Sequence, residues 1–231
     1  MSNYNIRYSK PLHSTLRLRF IMYPILRTIA VIKKNDEAIA RWISHIISPH
    51  IVGVVLTAFI AVKYSDESLS EVLTWLAVLI PLLVIPPMVY LLWLVSKGQI
   101  EDIYMPKRET RLRPLLVVLV WLVACLWLID YWAAPALVWA FVMATIVLIT
   151  ILSVVTFFWK ISFHGATISA AAATVFMIIG SSALPVILLV PLVGWSRIRL
   201  ARHTPRQVFY GSLVGIVFAL IMVQGILQGL L

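Results

Sequence analysis

Long uncharged apolar runs recur along this chain, and no other feature limits its fold so tightly. A helix needs about 20 apolar residues to cross the hydrocarbon of a bilayer. Runs of that kind cover Val72 to Val95, Leu115 to Ile129, Tyr131 to Trp159 and Gln207 to Leu231, and a further one covers His45 to Val62. The uncharged stretch from Gly165 to Trp195 is interrupted at Ser181–Pro185, which predicts two shorter helices. Pro49 sits near the start of its span, and Pro81, Pro86 and Pro87 are expected to bend the next one. In lipid every backbone polar group needs an internal partner, so such runs are helices rather than loops. With 62% hydrophobic and 12% charged residues and a mean hydropathy of +1.00, a water-soluble domain is excluded. The expected fold class is all-α: a polytopic transmembrane bundle of about six to seven membrane helices.

The first 44 residues are different. Arg7, Lys10, Arg17, Arg19, Arg27, Lys33, Lys34 and Arg41 make them too charged to span, and Pro24 interrupts any single helix. No small-residue cleavage site marks a secretory signal. The reading is therefore a basic amphipathic arm, 1–44, lying on anionic headgroups, followed by a transmembrane domain, 45–231.

The net charge is +10 and the pI about 10.1, yet the basic residues stand between membrane runs, so they report topology rather than nucleic acid. With seven passes, all 19 Lys and Arg except Lys63 fall on one side. Lys63 stands opposite, with Asp66, Glu67 and Glu71. The positive-inside rule makes the crowded side cytoplasmic and the protein an integral protein of a plasma or inner membrane. The single cysteine, Cys125, lies in an apolar run and excludes an intramolecular disulfide and a multi-cysteine metal site.

Three polar clusters interrupt the apolar chain on that side: Lys107 to Pro114, Lys160 to His164, and Ser196 to Gln207. Two helices separate each cluster from the next, so every excursion returns to the same face. A pocket built from them holds several cations, two histidines and small hydroxyls, with few acids. Arginine offers a planar fork matched to phosphate oxygens and lysine a point charge. Two histidines can divide the work of nucleophile and general acid. The lack of a carboxylate cluster argues against a Mg²⁺ site.

The clusters resemble the motifs of the type 2 phosphatidic acid phosphatases, whose site is shared with the vanadium haloperoxidases. That family's third motif is Ser-Arg, five residues, His, three residues, Asp; here it reads Ser196-Arg197, His203 and Gln207. Its second, Pro-Ser-Gly-His, is similar to Ile161-Ser162-Phe163-His164. Its first, Lys, six residues, Arg-Pro, is approximated by Lys107 and Arg113-Pro114, one residue shorter. The resemblance spans Lys107 to Gln207. It implies a lipid phosphatase in which His203 attacks phosphorus and forms a phosphohistidine, while His164 protonates the leaving group. Lys107, Arg113 and Arg197 would hold phosphoryl oxygens, helped by Ser162 and Ser196, with Arg111 able to take the role of Lys107. No metal or other cofactor is then needed. Gln207 can orient the nucleophile as the family's aspartate does, without supplying its charge.

Substrates of this reading are lipid mono- or diphosphates of the phosphatidic acid, phosphatidylglycerol phosphate or isoprenyl diphosphate class. The alternative is a relative impaired in catalysis that binds lipid phosphates or serves as a structural membrane protein. A transporter or an aspartate-rich prenyltransferase ranks lower, since Asp102 has only Glu101 nearby and Asp130 sits at a span end. His45 and His50 match no motif and read as structural. Gly211 with Gly215 and Gly225 with Gly229 form small-xxx-small pairs for close helix packing, within the bundle or across a homo-oligomer.

Overall fold

The computed structural model describes residues 35–64, 68–103, 105 and 107–227. The basic arm up to Lys34, together with Asp66, Glu67, Gly229 and the last residues, lies outside them. The chain divides into two units, Met1–Ile39 and Ala40–Leu231. Of the first, only the opening residues of a helix are described. The second is an all-α membrane bundle.

In order, the helices are α1 (Asn35–Ile46), α2 (Pro49–Tyr64), α3 (Leu69–Ser96), α4 (Leu112–Tyr131), α5 (Ala136–Phe158), α6 (Phe163–Ile179), α7 (Leu184–Arg199) and α8 (Pro205–Leu227). Their outward faces are apolar: Val120, Trp127 and Phe158 are 72%, 70% and 72% exposed. Only a hydrocarbon environment accepts such a surface. This is an integral membrane protein.

Helix α6 and helix α7 are joined through a 3₁₀ turn at Gly180–Ala183. A straight helix from Phe163 to Arg199 would be about 55 Å long. Yet His164 near its beginning and Arg197 near its end both contact Ser44. The segment is therefore a hairpin, and Gly180, at φ +60°, supplies the left-handed backbone that turns it. The two shorter helices expected between Gly165 and Trp195 are these.

Proline does not end α3. Pro86 has no N–H to offer the carbonyl of Leu82, and Trp121 of α4 donates to that oxygen instead from Nε1, at 2.9 Å. The N-terminus of α3 is closed by a capping box, in which the Ser68 hydroxyl accepts from the Glu71 N–H and the Glu71 carboxylate accepts from the Ser68 N–H. Helix α1 meets α2 at a 46° bend, with Ser48 and Pro49 in the cap and first-turn places that favour a fresh start.

Helix α6 is the central post, buried along Ala166 and Ala170–Ala172. Helix α8 lies against it through glycine. A Cβ on Gly211 would stand 2.6 Å from the Ser162 carbonyl oxygen, and one on Gly215 would overlap the Ala166 carbonyl. The Gly211/Gly215 face thus packs within the chain and fixes α8 beside the start of α6.

Candidate functional site

The three polar segments meet at one end of the bundle. Arg108 donates from Nη1 to the Phe158 carbonyl at 2.7 Å, capping the end of α5. Arg111, just before α4, donates from Nε to the Met105 carbonyl at 2.8 Å and from Nη1 to the Ile161 carbonyl at 3.4 Å. The Ser162 N–H donates to the Gln207 carbonyl at 3.3 Å. Arg202 pairs with Asp102 at 2.8 Å.

The spacing from Arg197 to His203 follows from how α7 ends. The Arg202 N–H donates to the Arg197 carbonyl and the Ala201 N–H to the Ile198 carbonyl, while Ala201 takes a left-handed φ of +52°. That is a Schellman ending, and it turns the chain so that the His203 N–H also reaches the Arg197 carbonyl, at 3.3 Å. Helix α8 then opens with a second capping box: the Thr204 hydroxyl accepts from the Gln207 N–H at 3.3 Å, and Gln207 Oε1 accepts from the Thr204 N–H at 3.1 Å.

That box decides the state of His203. Only the oxygen of the Gln207 amide can accept from the Thr204 N–H, so oxygen, not NH₂, is also the atom 3.2 Å from His203 Nδ1. His203 must donate there as Nδ1–H. Its neutral ring then carries the lone pair on Nε2. The ring is 7% exposed, and its pKa is pushed far below the usual histidine range. Burial is the main cause, followed by the nearby charges of Arg111, Arg197 and Lys160. The same crowding lowers Arg111 to about 10, through burial first. Lys160 is lowered by burial and then by Arg111, Arg197 and Arg202.

His164 occupies the first turn of α6. Ser162 is the N-cap, its hydroxyl accepting from the Gly165 N–H at 3.2 Å. His164 Nε2 lies 3.2 Å from the Ser44 carbonyl oxygen. Arg197, 2% exposed, donates from Nη1 to the Ser44 hydroxyl.

Arg111, His164, Arg197 and His203 line one cavity of about 570 Å³. Away from these groups its walls are almost wholly apolar and run down to Phe218 and Met222 of α8. Of the residues singled out in the sequence, these four are brought together, with Gln207 behind His203. The other candidates do not line the cavity. Lys107 is exposed and pairs with Glu101 at 2.5 Å, a contact that raises its pKa. Arg113 is exposed. Ser162 is spent on its cap, and Ser196 donates to the Val193 carbonyl at 2.8 Å within α7. Ser44 falls within the arm as the sequence bounds it, and His45 and His50, which read as structural, both line the cavity. A lone serine beside His45 that matches no motif carries no signal of its own.

No family model, curated protein or solved structure matches the chain.

Proposed function

We propose that this protein is a membrane phosphohydrolase that removes phosphate from a lipid mono- or diphosphate through a phosphohistidine, in the manner implied by its resemblance to the type 2 phosphatidic acid phosphatases. The observation that carries the reading is the joint lining of one cavity by the imidazoles of His164 and His203 and the buried guanidinium groups of Arg111 and Arg197, continuous with an apolar hollow. Cations at one end and hydrocarbon walls along the rest suit a phosphorylated headgroup with its tail attached.

In this mechanism Arg111 and Arg197 hold the phosphoryl oxygens. The Nε2 lone pair of His203 attacks phosphorus, the bond from phosphorus to the lipid oxygen breaks, and His164, which takes a proton from the entering phosphate monoanion, passes that proton to the lipid oxygen. Water then attacks the phosphohistidine, the P–N bond breaks, and His164 takes the proton back. Depressed basicity keeps His203 in the neutral, attacking form at physiological pH. The basic end of the bundle faces the cytoplasm, so the substrate comes from the cytoplasmic leaflet.

Phosphate release from a panel of lipid phosphates by purified protein, beside His203→Ala, tests the reading. Activity is expected in the wild type and its loss in the variant, with ³²P trapped on His203 of the wild type after an alkaline quench, because a phosphohistidine is labile in acid. Equal rates in the two proteins would remove the enzyme. Gln207 favours one second reading, a lipid-phosphate binder without turnover, because a neutral amide does not stabilise the charge that His203 acquires on attack.

A further inference from the structure

Both oxygens of Ser44 point at the machinery. Its hydroxyl accepts from Arg197 Nη1 and its carbonyl oxygen lies 3.2 Å from His164 Nε2. Ser44 is 2% exposed and sits in the last turn of α1, where a carbonyl has no following helical turn to donate to it. The end of a helix is the negative end of its dipole, so α1 also offers partial negative charge to a cluster otherwise made of cations.

We propose that Ser44 is the positioning residue of the phosphate site, one residue that sets the Arg197 fork and the His164 ring against the same anion. The proposal rests on the lipid-phosphatase reading for its reaction, but not for its geometry. A guanidinium carries five N–H donors, so a bond to Ser44 is compatible with a two-pronged grip on phosphate, and it fixes the plane from which that grip is made. An imidazole whose Nε2–H donates to a backbone carbonyl has its ring orientation set, and proton exchange with a leaving oxygen falls to Nδ1. The end of α1 that holds Ser44 is thereby a wall of the site.

The test uses the full chain in detergent micelles, with Ser44→Ala and Ser44→Thr beside the wild type. Inorganic phosphate binding is followed by calorimetric titration, and turnover of a lipid phosphate across pH is measured in parallel. Thermal unfolding checks that each variant is folded. Losing one hydrogen bond to a charged group predicts about a tenfold weaker phosphate affinity and a similar fall in kcat for Ser44→Ala. Ser44→Thr keeps the hydroxyl and should restore both. Equal affinity and equal kcat in Ser44→Ala would overturn the proposal. So would tighter binding or faster turnover, because Ser44 would then be competing with the anion. Phosphate binding that depends on Ser44 in a protein releasing no phosphate from any lipid would retire the phosphatase and keep the positioning role. A wild type that binds no phosphate would overturn both.

Discussion

Gln207 does two jobs with one oxygen: it closes the capping box of α8 and receives the Nδ1–H of His203. Removing the amide should therefore show in two measurements at once. Gln207→Leu is expected to lose about 1 kcal/mol of stability from the lost cap and about a hundredfold in phosphate release from the disoriented ring. Gln207→Glu keeps both acceptors and adds the charge that the proposed attack by His203 calls for, so its turnover should equal or exceed the wild type. Kinetics and thermal unfolding of the same preparations check this. His203 also ties stability to pH. Its pKa is 6.5 unfolded and lower when folded, so below that value the unfolded chain binds more protons. Its contribution is then whole above pH 6.5 and shrinks as the pH falls. The unfolding temperature should drop from about pH 7 to about pH 5, and His203→Asn should flatten part of that slope.

At the scale of helices, glycine chemistry separates contact from mere space. A Cβ at Gly215 would overlap the Ala166 carbonyl, whereas one at Gly53 would meet only the Phe141 ring at 3.9 Å. Gly215→Ala should push α8 off α6 and cost on the order of 3 kcal/mol, while Gly53→Ala should gain up to about 1 kcal/mol from helix propensity. Unfolding in detergent discriminates the two. The spans were legible because uncharged length is a local property, and the return of the polar clusters to one end followed from counting helices. The arginines were harder to choose. Lys107, Arg111 and Arg113 share one short basic segment, and it is Arg111 that turns inward, with hydrogen bonds to Met105 and Ile161. The contacts of Ser44 were illegible because they depend on the 46° bend after α1 and on a hairpin far along the chain. The interval between Arg197 and His203 was visible as a motif, but its cause, an alanine in left-handed backbone at Ala201, was not.

For the molecule as a whole, the charges and the site share one end. Lys97 ends α3 there, while Lys63 stands at the opposite end of the bundle, in the last turn of α2. Translocation across a membrane disfavours short loops rich in Lys and Arg, so the proposed orientation puts Lys97 and the proposed phosphate site in the cytoplasm. The cations cannot all be ascribed to substrate binding, because Lys97, Lys107 and Arg113 are exposed and away from the cavity. Labelling can decide the matter. Cys125 is 1% exposed within α4, so Cys125→Ala gives a background with little expected disturbance, onto which Lys63→Cys or Lys97→Cys is placed. An impermeant maleimide applied to intact cells should label the first variant and reach the second only after permeabilisation. The reverse pattern would leave the site's geometry as it is and move its substrate to the other leaflet. The basic clusters would then have to be held on the outer face by the fold itself, against the bias that ordinarily keeps them inside.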